Sequence, residues 1–270
     1  MIGRLLLLCL LALPLATQAE EGALPLTGPF EQGGLLFGQA APGSLVWLDG
    51  RAVSVSAEGA FVLGFDRDAE PVSEIIIRQP DGSGWHRVVE VKPRRYRVQR
   101  IDGLPQDKVV PPEAVWDRIL AEKALLEDLR KLDRPATDYA GGFVWPAKGR
   151  ISGVYGSQRI LNGQPRQPHY GIDVAVPTGT PILAPADGVV ALAHPGLYFA
   201  GQTLVIDHGQ GLKSSLLHLS GIEVQEGDLV RQGQRVALAG ATGRVTGAHL
   251  DWRVSWFDRW IDPKQLVGSQ

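Results

Sequence analysis

Cysteine is all but missing from this 270-residue chain: Cys9 is the only one, and it lies in an apolar run near the start. One thiol cannot form an internal disulfide, and removal of that run would leave none, so no thiolate-held metal is available. Any metal site must therefore be built from His, Asp and Glu. An excess of charge is missing too, since 27 Lys and Arg stand against 29 Asp and Glu, a net charge of -2, with no block of either sign. That excludes an electrostatic nucleic-acid footprint and a basic membrane patch. Internal repeats and low-complexity tracts are absent as well.

Long apolar runs are confined to Leu5–Leu15, which is broken only by Pro14, preceded by Arg4 and followed by Ala16-Thr17-Gln18-Ala19 and the pair Glu20 and Glu21. A basic start, a short apolar stretch and small residues before a polar break predict a cleaved signal peptide over residues 1–19, too short to span a bilayer. A signal anchor is the rival. Leu8 is too bulky for the small-residue position of a lipoprotein signal at Cys9. Export follows, to the periplasm or beyond the cell, with no stable membrane insertion after cleavage.

The remaining length suggests two domains, on a prior of roughly 150 residues each. Between residues 22 and 100, Leu35-Leu36-Phe37, Leu45-Val46-Trp47-Leu48, Ala60-Phe61-Val62-Leu63 and Ile75-Ile76-Ile77 alternate with Ala41-Pro42-Gly43, Asp49-Gly50, Glu58-Gly59 and Asp81-Gly82. Short apolar segments between tight turns predict a β-sandwich accessory module. It has no cluster of chemical groups, and its expected use is to space, dock or gate the second half or to meet envelope protein partners.

Pro111-Pro112-Glu113 opens a helical stretch over 111–133, since proline fits a first turn and an acid there suits the helix dipole. Val115, Ile119, Leu126 and Leu129 recur at helical spacing, which predicts a linker helix packing across the domains, and Tyr139-Ala140-Gly141-Gly142 reads as a flexible boundary. Over 143–266 short strands return, including Val189-Val190-Ala191, Leu204-Val205-Ile206 and Arg235-Val236-Ala237-Leu238, between turns such as Ala186-Asp187-Gly188 and His208-Gly209-Gln210-Gly211. The overall class is mainly β, with a C-terminal antiparallel sheet.

Four of the six histidines fall in this half beside carboxylates. His169-Tyr170-Gly171-Ile172-Asp173 sets an imidazole and a carboxylate four positions apart around a glycine expected to let the backbone turn tightly. In His249-Leu250-Asp251-Trp252-Arg253-Val254 the period-two alternation of a strand sends His249 and Asp251 to one face and Leu250 and Trp252 to the other. Neighbouring ionisable groups on a sheet are costly unless they meet water, each other or a metal. His218 interrupts the apolar run Leu216-Leu217-His218-Leu219. His208, in a turn, reads as structural, and His194 and His86 as surface or packing residues. Trp145, Trp252, Trp256 and Trp260 are expected mostly in the core.

From about Trp145 to Asp262 the chain resembles the lysostaphin and LytM-type peptidoglycan endopeptidases, which share a His-x-x-x-Asp motif, a His-Leu-Ser segment and a late His-x-His motif. The flanks Gly149-Arg150-Ile151-Ser152 through Tyr155-Gly156 and Arg159, Val176-Pro177-Thr178-Gly179-Thr180-Pro181 and Ile261-Asp262-Pro263 match as well. The resemblance implies one Zn²⁺ held by His169, Asp173 and the residue at 251, with His218 and His249 catalytic and peptidoglycan stem peptides as substrate. The chain departs from the pattern at Asp251, where the family has His. Either Asp251 is the third ligand, or the domain is a catalytically inactive activator of cell-wall amidases. Counting ligands alone, carboxylate for imidazole removes one positive charge from the centre and leads to an upward-shifted pH optimum. A carrier-domain reading of Val224–Gln234 fails because no lysine stands at the matching tip.

Overall fold

The computed structural model describes residues 25–103 and 110–270; the expected signal peptide and Cys9 fall outside them. The first half holds β1 (Leu26–Thr27), β2 (Leu35–Gln39), β3 (Leu45–Leu48), β4 (Arg51–Val53), β5 (Ala60–Gly64), β6 (Val72–Arg78), β7 (Gly84–Glu90) and β8 (Val98–Ile101). One sheet has the order β1-β2-β5 and a second β4-β3-β6-β7, every pair antiparallel. Alternation explains the packing: along β6, Ser73, Ile75 and Ile77 are buried while Val72, Glu74 and Ile76 face outward. The inward residues meet Leu36, Leu48, Phe61 and Leu63, all fully buried.

A 3-10 turn at Glu113–Val115 leads into α1 (Trp116–Lys131), which ends two residues before the expected Asp133. None of its residues is fully buried, and neither end has a side-chain cap. Polar contacts hold it in place instead. Arg118 donates to Gly196 O at 2.7 Å, the Tyr198 amide donates to Glu122 at 2.8 Å, and Lys213 Nζ donates to Leu132 O at 2.7 Å. At its C-terminal end Ser54 donates to Asp133 at 2.5 Å, so the helix does reach both halves. No helix among the described residues is long and apolar enough to cross a membrane.

The second half contributes β9 (Arg150–Gly153), β10 (Gln158–Leu161), β11 (Gln164–Pro165), β12 (Gly171–Ala175), β13 (Pro181–Leu183), β14 (Gly188–Leu197) and β15 (Gly201–Asp207). After these come β16 (Leu212–Leu219), β17 (Gly221–Ile222), β18 (Leu229–Val230), β19 (Arg235–Leu238), β20 (Leu250–Trp256) and β21 (Arg259–Ile261). The main sheet runs β18-β14-β15-β16-β20-β12-β9 with β21 added to β20, and β13-β19-β17 form a smaller one. On β20, Leu250, Trp252, Val254 and Trp256 are fully buried, so Asp251, Arg253 and Ser255 must share the other face. That second face carries the site.

The halves share one continuous core. The Tyr139 segment is a packed junction rather than the expected flexible boundary: its ring is buried 5.8 Å from Phe37, and its hydroxyl donates to Gln210 at 2.5 Å. Arg94 pairs with Asp262 at 2.8 Å. Strand β8 also pairs in parallel with β10, joining the first half to the hairpin beside the site.

Candidate metal centre and its histidine pair

Strand register builds the centre. Asp173 on β12 stands directly opposite Asp251 on β20. Like charges at such a cross-strand pair are destabilising unless a cation joins them. Both carboxylates are buried, and His169, just ahead of β12, is 2 % exposed. Its Nε2 lies 3.0 Å from Asp173 Oδ1 and 3.5 Å from Asp251 Oδ2, yet makes no hydrogen bond to either. Nδ1 faces Val154 O at 3.3 Å, which directs Nε2 toward the two acids.

One imidazole nitrogen and two carboxylate oxygens, all within 4.8 Å of one another, are a donor set that zinc accepts. The geometry of Nε2 shows the same fit from another side: it is buried and aimed at two carboxylates without a well-aligned hydrogen bond to either, as suits a cation lying between them. The electrostatics agree. Burial works against a positive His169, but the Asp251 and Asp173 carboxylates outweigh it and raise its pKa. A pocket that draws a proton there also draws a metal ion.

Two more histidines stand beside this set. His218, near the end of β16, neighbours Leu217, whose strand partner is Asp251. Its ring centroid is 4.8 Å from that of His249, and His249 Nε2 is 3.8 Å from Asp173 Oδ1. Nδ1 of His218 lies 2.9 Å from Thr242 O, and Nδ1 of His249 lies 2.8 Å from Gly247 O. Each ring therefore donates through Nδ1, and in the neutral tautomer this sets, Nε2 is the acceptor. Burial lowers the His218 pKa to about 4 and keeps it neutral. His218 also has φ of +64°, a left-handed conformation that costs roughly 1–2 kcal/mol and recurs at functional sites. Hydrogen bonds fix it, its amide donating to Ala200 O while Thr242 is tied to Leu219 O and the Gln202 amide.

The structure thus brings together His169, Asp173, Asp251, His218 and His249. His208 stays apart and fully buried, contacting Asp187 O and Ser214 Oγ. His86 pairs with Glu74 on the surface, and His194 accepts from the Gly196 amide. Trp252 and Trp256 belong to the core, whereas Trp260 stacks on Tyr170 at 5.3 Å. Gly171 differs from expectation: it is not a turn but part of extended β12, and a Cβ there would sit 2.6 Å from Asp251 Oδ1. Its missing side chain makes room for the centre.

Sequence reasoning passed over two arginines as parts of the site. Arg253 grips Asp251 through Nη2 at 2.6 Å and Nε at 3.0 and 3.1 Å, and Arg159 Nη2 reaches Asp173 Oδ2 at 3.2 Å. The signal for Arg253 was present, since it lies two positions beyond Asp251 on the same face of the strand. Although burial alone would raise it, Asp251 is held well below the usual carboxylate range by Arg253 and His169.

The model for peptidase family M23 matches residues 167–263. A crystal structure from Pseudomonas aeruginosa assigned to peptidase M23 is 30% identical, with a TM-score of 0.68, and the match covers 89% of this chain and 96% of that one. Peptidoglycan DD-endopeptidase ShyB of Vibrio cholerae is 46% identical over 97 residues, 35% of this chain and 22% of that protein. Peptidoglycan DD-endopeptidase ShyA of the same organism is 43% identical over 111 residues, 40% of this chain and 25% of that protein. The match thus spans a quarter or less of the length of these two relatives.

Proposed function

Since the chain belongs to peptidase family M23, we propose that its C-terminal half is a zinc-dependent endopeptidase that cuts peptide cross-links of peptidoglycan outside the cytoplasm. The observation that carries this reading is the opposed pair Asp173 and Asp251 converging on the buried Nε2 of His169. These three residues would hold the ion. Zinc bound by three protein ligands supplies Lewis acidity toward a water and the scissile carbonyl.

His218 and His249 do the proton work. With each Nδ1 tied to a backbone carbonyl, Nε2 is the nitrogen left on both rings to accept a proton from the attacking water. Once protonated, the same nitrogen becomes a donor that can serve the leaving amine or steady the developing oxyanion. The relatives' names, both peptidoglycan DD-endopeptidases, support stem peptides as the substrate.

A second reading has a specific observation behind it. Arg253 and Arg159 already pair with the two carboxylates, and such a network needs no metal. Under that reading the domain is an inactive activator of cell-wall amidases. Metal analysis of the purified protein and chromatography of muropeptides released from sacculi, with and without a chelator, separate the two. One zinc per chain and chelator-sensitive release are expected. His169→Ala should lose zinc and activity together, whereas His249→Ala should keep zinc and lose about 10²-fold or more in rate. Zinc-free protein that releases no muropeptide would overturn the peptidase and leave the activator reading.

A further inference from the structure

We propose that Arg253 is a positioning residue for the metal centre and that residues 251 and 253 work only as a matched pair. This rests on the reading that His169, Asp173 and Asp251 bind zinc. Asp251 is nearly sealed, its side chain 3 % exposed, and Arg253 touches both of its oxygens through two nitrogens. A guanidinium that grips a carboxylate in this forked way fixes its plane as well as its charge. The plane it fixes leaves Oδ2 facing His169 Nε2 at 3.5 Å.

The surrounding sheet is shaped for this contact. Across β12 the partner of Arg253 is Gly171, and any side chain there would begin 2.6 Å from Arg253 Cγ and 2.6 Å from Asp251 Oδ1. On the other side, across β16, its partner is the small Ser215. Arg253 therefore lies in a slot between two small residues, and the slot leads to the ligand.

Charge explains why the pair must change together. Two carboxylates and a neutral imidazole cancel the charge of a divalent ion, and Arg253 restores one positive unit beside it. Histidine at 251 would leave that guanidinium, its side chain 27 % exposed, without its carboxylate and facing a dication. Two positive centres at close range repel once the carboxylate between them is gone, and the water that reaches Arg253 offsets only part of this. The substitution that looks most favourable for zinc, Asp251→His, is thus harmful while Arg253 remains.

Zinc affinity measured by competition with a chromophoric chelator tests this on the purified protein with both halves present, with circular dichroism to verify the fold. Arg253→Gln should weaken zinc about 10- to 100-fold, the usual effect of losing a residue that orients a ligand. Arg253→Lys should recover part of that loss. Asp251→His should weaken zinc at least about tenfold, and adding Arg253→Gln to it should bring affinity back to within a few-fold of wild type. Additive effects in the double variant, or Asp251→His binding as tightly as wild type, would overturn the pairing. Equal affinity of wild type and Arg253→Gln would do so without reference to position 251. Wild-type protein that takes up no zinc would instead remove the metal centre itself, and the pairing with it.

Discussion

His208 gives the sharpest quantitative test of how this half of the chain is held together. It is fully buried between Asp187 O at 2.6 Å and Ser214 Oγ at 2.9 Å, with Phe143 edge-on at 5.3 Å. Burial pushes its pKa from 6.5 down to about 4. In the unfolded chain it titrates near its ordinary value, so between about pH 6.5 and 4 the unfolded state carries a proton that the folded state refuses. The stability it contributes is complete above that window, falls as pH drops through it and levels off near pH 4. A displacement of about 2.5 units at 1.36 kcal/mol per unit amounts to roughly 3 kcal/mol. Urea unfolding of wild type and His208→Gln at several pH values across the window reads this directly. The variant is less stable throughout through lost packing, yet its acid limb should be flatter by about that amount. Parallel acid limbs in the two proteins would refute the buried neutral imidazole.

Two further outcomes follow from packing. Gly153→Ala places a methyl 2.1 Å from Asp173 Oδ2, so metal affinity should fall by at least about tenfold with little change in melting temperature; chelator competition checks the first and calorimetry the second. Tyr139→Phe leaves the buried Gln210 Oε1 without its donor and should cost about 1–3 kcal/mol in urea unfolding while metal content equals that of the wild type.

Much of this was legible in the sequence, for identifiable reasons. Apolar runs such as Ile75-Ile76-Ile77 and Leu204-Val205-Ile206, bounded by Gly turns, lie in β6 and β15. Period-two alternation put Asp251 opposite the core-facing Leu250 and Trp252, as the burial of β20 shows. Local pattern could not give the register that sets Asp173 against Asp251, since pairing joins strands nearly eighty positions apart. Nor could it show β8 on β10, because both are short and one of them has no clear alternation. The upward pH optimum expected for Asp251 counted only the three ligands. With a guanidinium on Asp251, the missing unit of charge is replaced, and the basis for that displacement is gone.

Strand β8 closes one flank of β10, and the same β10 carries Arg159, which reaches Asp173. Cutting the polypeptide before α1 would strip that flank and expose a row of unsatisfied amides and carbonyls, an invitation to strand exchange with other molecules. It would also loosen the stretch from which Arg159 extends. In this chain the two halves are therefore not separable cassettes: the second half borrows a strand from the first.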